Sequence, residues 1–242
     1  MTSKINLVSL QFKTTEDFNQ NLQHLINLIE QIPKNSFIVA PELCLYGFAY
    51  DRFEEAIDTT IEAIDILKKL SINQTISLTL LTKKENNYFN TLHIFHKGKI
   101  IYTQSKIKLF ELGNEQKYFK SDNLDNIKII DIDGLKIGFM ICFEIRFIEF
   151  WEKLKGSDII VIPAMWGKPR KSQFENIAKT IAIINQCFIV ASNSSNEDMA
   201  SSSAIVSPFG DVYIDDTKEI LSIEVNLSEI KKMRRYLKIG LE

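Results

Sequence analysis

Asp158-Ile-Ile-Val-Ile-Pro163 is followed by Phe174, Ile177, Ala178, Ile181 and Ala182 at helical spacing, and then by Phe188-Ile-Val-Ala191. Both flanking runs lack the alternation of a half-exposed strand, so each must be covered on both faces. The stretch between them is an amphipathic helix. The same succession opens the chain. Ile5-Asn-Leu-Val-Ser-Leu10 reads as a strand, and Phe18, Leu22, Leu25, Ile26 and Ile29 form a helical stripe. Phe37-Ile-Val-Ala40 is a buried strand stopped by Pro41. Thr14 with Asp17 resembles a capping box ahead of the first helix. Phe53, Ile57, Ile61, Ile64 and Leu67 mark a second helix, and residues 76–82 a further strand.

Hairpins interrupt this pattern. His96-Lys97-Gly98 joins residues 88–95 to 99–103, Asp133-Gly134 joins 127–132 to 135–142, and Pro208-Phe-Gly-Asp211 joins 204–207 to 212–214. Residues 220–225 form the last strand, and Ser228 caps a final helix. The sheets are therefore mixed rather than all parallel. An α/β architecture of two mixed sheets with helices outside accommodates both features.

Composition bounds the class. At 242 residues, 45% hydrophobic and 25% charged, the chain suits one large core, and a single domain over 1–242 is expected. A net charge of −2 gives no basic excess for nucleic acid. The basic run Lys231, Lys232, Arg234, Arg235 and Lys238 reads as the solvated face of a terminal helix. No apolar segment approaches the roughly 20 residues of a membrane span, and the N-terminus has no signal-peptide core. Three widely spaced cysteines (Cys44, Cys142 and Cys187) suit a reducing, cytoplasmic setting. Metal-binding spacings and Gly-rich phosphate loops are absent, so no metal or cofactor is expected.

Chemistry concentrates where apolar strands end in polar residues. Cys142 closes Ile137-Gly-Phe-Met-Ile-Cys142 and is followed at once by Phe-Glu-Ile-Arg146. Cys44 and Cys187 sit among apolar neighbours and read as core. Glu42 follows Phe37-Ile-Val-Ala-Pro41, where partial desolvation suits a general base. Lys106 and Lys108 follow residues 100–103, and a buried Lys there suits an oxyanion. Each of these residues alone has an ordinary structural explanation. Their joint order, Glu then Lys then Cys, is what points to a site. The competing enzyme class is a Cys–His hydrolase using His24, His93 or His96, but none of these sits at a strand end, and the last two have opposite strand parity.

At this point the sequence resembles the carbon–nitrogen hydrolase (nitrilase) superfamily. Pro41-Glu-Leu-Cys-Leu-Tyr-Gly47 is similar to its Glu motif. Lys106-Ile-Lys-Leu-Phe110, with Glu115 and Phe119, is similar to its Lys motif. Gly138-Phe-Met-Ile-Cys-Phe-Glu-Ile-Arg-Phe147 is similar to its nucleophile motif. The blocks Pro163-Ala-Met-Trp166, Asn185-Gln-Cys-Phe-Ile-Val-Ala-Ser-Asn193 and Ser207-Pro-Phe-Gly-Asp211 extend the likeness over residues 5–225. The resemblance implies a four-layer α-β-β-α sandwich and a homodimer or larger assembly. It implies Cys142 as nucleophile, Glu42 as general base, Lys106 as oxyanion stabiliser, Glu115 as a supporting buried acid, and the Phe143 N–H as a second oxyanion donor.

The implied reaction is cofactor-free hydrolysis of a small amide through a thioester, releasing ammonia. Met165-Trp166 with Pro169-Arg170 resembles the ω-amidase block, so Trp166 and Arg170 are the expected substrate contacts. Arg146 is the other candidate for a substrate carboxylate, against an ion pair with Glu144 or Glu149. Nitrile and N-carbamoyl hydrolases share the triad, and an idle binding module is the non-enzymatic alternative. The chain departs from the family pattern at Lys108 (usually His), Glu144 (usually Asp) and Ile148 (often Pro). Ile181 and Ile184 stand where Arg and Glu are frequent, and Ser201-Ser202 replaces a Gly-His pair.

Overall fold

The computed structural model describes residues 4–241. Strand β1 (Lys4–Leu10), helix α1 (Phe18–Glu30), β2 (Ser36–Val39), α2 (Phe53–Leu70), β3 (Thr75–Lys84), β4 (Asn87–His96), β5 (Lys99–Ser105) and the short α3 (Glu115–Tyr118) form the first half. The second half contains β6 (Ile130–Ile132), β7 (Leu135–Phe139), α4 (Ile148–Lys153), β8 (Ile159–Pro163), α5 (Lys171–Asn185), β9 (Phe188–Ser192), β10 (Ala204–Val206), β11 (Val212–Ile214), β12 (Ile220–Asn226) and α6 (Ser228–Tyr236).

The strands make two six-stranded sheets, ordered β12-β1-β2-β3-β4-β5 and β11-β10-β9-β8-β7-β6. In each sheet the central strands are parallel, β1-β2-β3 and β7-β8-β9, with antiparallel strands outside them, most joined through hairpins and β12 returning from the far end of the chain to pair with β1. The mixed sheets expected from the hairpins are therefore present.

Strand parity builds the layers. Leu7, Phe37, Val39, Leu92 and Ile94 face the second sheet and join its strands in one core. Their neighbours Val8, Ile38 and Phe95 face the other way, beneath α1 and α2. Helix α5 covers the far side of the second sheet through Phe174, Ala178, Ile181 and Ala182. Hydrogen bonds tie the sheets together: Ser9 Oγ donates to the Ala191 carbonyl and Ser192 Oγ to the Leu10 carbonyl, each at 2.6 Å. This is the α-β-β-α sandwich that the resemblance implies.

Several local expectations change. Asp17, not a Thr14 box, caps α1 by accepting the Gln20 N–H at 2.9 Å, while Thr14 Oγ1 donates to the Cys44 carbonyl. Ser228 is the first residue of α6 rather than its cap: Leu227 holds the cap position without a side-chain bond, and the Ser228 N–H donates to Asn226 Oδ1. Ile61 is 60% exposed, because Phe53, Ala56, Thr60, Ala63 and Leu67 form the buried face of α2. Arg234 is not on a solvated face; it is buried, and its guanidinium donates to the Ser157 carbonyl at 2.7 Å. Ile181 is buried where an Arg is frequent in the family, and Ile184 is half exposed. Among the described residues no helix is long and apolar enough to cross a membrane.

Candidate active site

The site lies where strand ends from both sheets meet. Pro41 prevents β2 from continuing, and the Glu42 N–H crosses to the Ala164 carbonyl just beyond β8, at 3.2 Å. Lys106 immediately follows β5, its N–H held by the Asn90 carbonyl at 2.8 Å. Strand β7 ends at Phe139, three residues short of Cys142. The Ile141 N–H is taken by Glu144 Oε2 at 2.6 Å, which turns the chain into the 3-10 segment Cys142–Arg146. Cys142 itself has φ of +48°, a left-handed conformation that costs a residue bearing a Cβ about 1 kcal/mol or more.

Lys106 is fully buried between two carboxylates. Its Nζ lies 2.7 Å from Glu42 Oε1 and 2.8 Å from Glu115 Oε1. Asn90 Nδ2 also donates to Glu42 Oε1 at 2.7 Å, and the Met165 N–H reaches Glu42 Oε2 at 3.1 Å. The Phe110 N–H holds Glu115 Oε2 at 3.0 Å. Burial alone would lower the Lys106 ammonium, but Glu42 and Glu115 outweigh it and hold the group charged. Burial raises the Glu115 carboxyl, with Lys106 opposing.

Cys142 is buried beside this cluster. Burial first, and the Glu42 charge second, push its thiol well above the usual range, while Lys106 and the Met165 N–H oppose the shift. The cluster has two carboxylates and one ammonium, so adding a thiolate would bring a third negative charge against one positive. Lys106 favours the thiolate, but burial and the carboxylate charges outweigh it and hold the proton on the sulfur. The Met165 N–H that reaches Glu42 Oε2 also lowers the thiol's proton affinity. Glu42, Lys106, Glu115 and Cys142 thus come together. The histidines are bonded elsewhere: His24 Nε2 with Glu219 at 2.9 Å, His93 Nδ1 with the Thr91 carbonyl at 2.9 Å, and His96 Nδ1 with Thr75 Oγ1 at 2.8 Å. Among the described residues no group of His, Cys, Asp or Glu is arranged to hold a metal.

Aromatic and cationic side chains pack together on the segments that follow Lys106, Cys142 and Met165. Phe143 packs on Phe110 and Phe147, with ring centroids 5.1 and 5.2 Å apart. The guanidinium of Arg170 lies 5.2 Å from the Phe110 centroid and that of Arg146 lies 4.9 Å from Trp166. Trp166 is buried, and its Nε1 donates to the Arg170 carbonyl at 2.9 Å, so it props up Arg170. The expected ion pair of Arg146 with Glu144 or Glu149 is absent: Glu149 pairs with Lys108 at 3.0 Å, and Arg146 donates to Gln173 instead. Glu144 is committed to backbone, accepting from Ile107 and Ile141 at 2.6 Å each and from Lys108 at 3.4 Å. It therefore clasps the Lys106 segment to the Cys142 turn.

Glu144 and His93 give opposed pH dependences. Burial raises the Glu144 carboxyl from 4.5 to about 7, against the donating backbone N–H groups. Burial depresses His93 from 6.5 to about 4. The raised acid makes the folded state bind the extra proton, so its stabilising contribution is lost as pH rises toward about 7. The depressed His makes the unfolded chain bind the extra proton, so its contribution is lost as pH falls from 6.5 toward about 4. Each is on the order of 3 kcal/mol, and they offset between roughly pH 4.5 and 6.5. In His93→Phe the melting temperature is expected to fall more steeply than in the wild type as pH rises from about 4.5 to 6.5. Scanning fluorimetry across that range checks this; parallel profiles would refute the assignment.

Comparison with known proteins fixes the family. The family described as "Carbon-nitrogen hydrolase" matches residues 5–235, and the chain belongs to it. The chain is 30% identical over 235 residues to the 2-oxoglutaramate amidase of Bacillus subtilis (strain 168), covering 91% of this chain and 90% of that protein. It is 24% identical to the omega-amidase YafV of Escherichia coli (strain K12), covering 89% and 86%. The fold matches the Caenorhabditis elegans NitFhit structure with a TM-score of 0.89 at 21% identity, over 98% of this chain and 64% of that one. It matches a Helicobacter pylori carbon–nitrogen hydrolase with a TM-score of 0.86 at 23% identity, over 97% and 93%. This protein is a carbon–nitrogen hydrolase acting on amides.

The sequence reading did not single out Asn90 or the Met165 N–H. A signal for Asn90 existed: it shares strand parity with Leu92 and Ile94, so it is an amide on an otherwise apolar inner face. A backbone donor such as Met165 leaves no such trace.

Proposed function

We propose that the chain hydrolyses the terminal amide of a small dicarboxylate monoamide through a thioester on Cys142. The observation that carries the substrate class is a pair of guanidiniums: among the described residues neither Arg146 nor Arg170 has an ion-pair partner, and both lie on aromatic faces. Guanidiniums left without acids suit a carboxylate. The names of the two amidase relatives support the same class. Arg170 is half-buried and Arg146 exposed, so Arg170 is the stronger anchor.

Because the resting sulfur is a thiol, its proton leaves as the sulfur–carbon bond forms, and Glu42 accepts it. Charge develops on the former amide oxygen, where Lys106 and the Phe143 N–H stabilise it; losing one such donor costs roughly 10²–10³ in rate. Glu42 returns the proton to nitrogen as the carbon–nitrogen bond breaks, and ammonia leaves. Water, losing a proton to Glu42, then attacks the thioester. The acid product leaves, and the Cys142 thiol regains its proton. Glu115 holds Lys106 in place throughout.

Ammonia release from the monoamide of a five-carbon 2-oxo diacid, set against a neutral amide of equal length, tests this. The acidic substrate is expected to be preferred. Arg170→Ala is expected to raise its KM about tenfold, the worth of about 1.4 kcal/mol, with the neutral amide little affected. Equal kcat/KM for both amides, or faster turnover of a nitrile or N-carbamoyl compound, would overturn the reading.

A further inference from the structure

We propose that Asn90 is a positioning residue: its side-chain amide commits Glu42 Oε1 to the buried network and leaves Oε2 as the oxygen that takes the proton. The inference rests on Glu42 as the base. Glu42 Oε1 accepts from both Lys106 Nζ and Asn90 Nδ2, at 2.7 Å each. A carboxylate oxygen has two good acceptor sites, so Oε1 is full. Oε2 takes one longer bond, 3.1 Å from the Met165 N–H, and keeps a site open.

Asn90 makes this contact at a cost. Its Oδ1 is buried with no hydrogen-bond partner among the described residues. A buried unsatisfied oxygen is destabilising and calls for an explanation. Asn90 is 1% exposed on the inter-sheet face with Leu92 and Ile94, where an aliphatic side chain would incur no such cost. What the amide supplies there is its one donation to Glu42. The main chain of the same residue acts on the other partner, since the Asn90 carbonyl accepts the Lys106 N–H at 2.8 Å. One residue of β4 thus holds the base by its side chain and the Lys106 backbone by its own. Without the amide, Oε1 regains a site, the carboxylate can turn about its Lys106 contact, and its proton is bound more tightly.

The test uses Asn90→Leu, close in size without a donor, and Asn90→Thr, which suits a strand but is too short to reach. Two readouts are followed against pH: kcat/KM for amide hydrolysis, and the rate of Cys142 alkylation by iodoacetamide, located by peptide mass. In both variants the acid limb of both profiles is expected to move up by about one pH unit, as for one lost hydrogen bond to a carboxylate. kcat is expected to fall about 10- to 100-fold, with KM changed less than about twofold. A folded variant with lower melting temperature but unmoved limbs would show a merely structural role and overturn the proposal. Alkylation needs no substrate, so a wild type that releases no ammonia defeats the amidase reading while the alkylation limb still judges Asn90. If Asn90→Leu chains fail to fold, Asn90→Thr decides.

Discussion

Lys106→Met is expected to release no ammonia and to lose most of its folding stability near neutral pH. Among the described residues the ammonium is the only positive charge within hydrogen-bonding reach of Glu42 and Glu115, both almost fully buried. Removing one partner of a buried ion pair costs about 3–5 kcal/mol, because the remaining charge is left uncompensated. Here one substitution strands two carboxylates, and the total stability of a domain is only about 5–15 kcal/mol. The variant should regain stability in acid. A buried carboxylate without a counter-charge binds its proton more tightly folded than unfolded, so its contribution is present at low pH and lost as pH rises. Burial already raises Glu115 with Lys106 present, so the direction is set before the substitution. Chemical unfolding at about pH 5 and pH 8 checks this. A Met variant with wild-type stability at both would show that the carboxylates do not depend on Lys106.

The candidate site was legible because its polar residues break the rule of their surroundings. Glu42 and Cys142 follow runs of buried residues, where polar groups are costly without a task, whereas Lys106 is itself buried but follows the largely exposed edge strand β5. Their arrangement was not legible, since hydrogen bonds between residues 48 or 64 positions apart leave no spacing in the chain. The reading of Arg146 failed for the same reason. Glu144 and Glu149 are near it in sequence, but backbone N–H groups and Lys108 claim them in space. Helix α2 failed differently: its large Ile residues suggested one stripe, while small Ala56, Thr60 and Ala63 permit the close approach. The Ser201-Ser202 departure also gains a meaning. Both have left-handed φ, +56° and +57°, where glycine sits without strain. Ser202 is held there by Asp216 and Lys171, at 2.8 and 2.7 Å.

Replacing Cys142 should separate chemistry from stability in a way that Lys106→Met cannot. Cys142→Ala and Cys142→Gly are both expected to lose turnover by on the order of 10⁶-fold, the scale seen when a covalent nucleophile is removed. Neither strands a charge, since the resting thiol is neutral and the Glu42–Lys106–Glu115 contacts do not pass through sulfur. The two should differ in stability. At φ of +48° a Cβ is strained, and Gly relieves that strain where Ala retains it. The Gly variant is therefore expected to equal or exceed the Ala variant by up to about 1 kcal/mol, although Gly in unstrained positions usually costs that much. Urea unfolding of wild type, Ala and Gly chains, paired with ammonia release, measures both quantities. Turnover by the Ala variant above roughly a thousandth of wild type would remove Cys142 from the chemistry. A Gly variant clearly less stable than Ala would mean that the left-handed φ of residue 142 stores no strain.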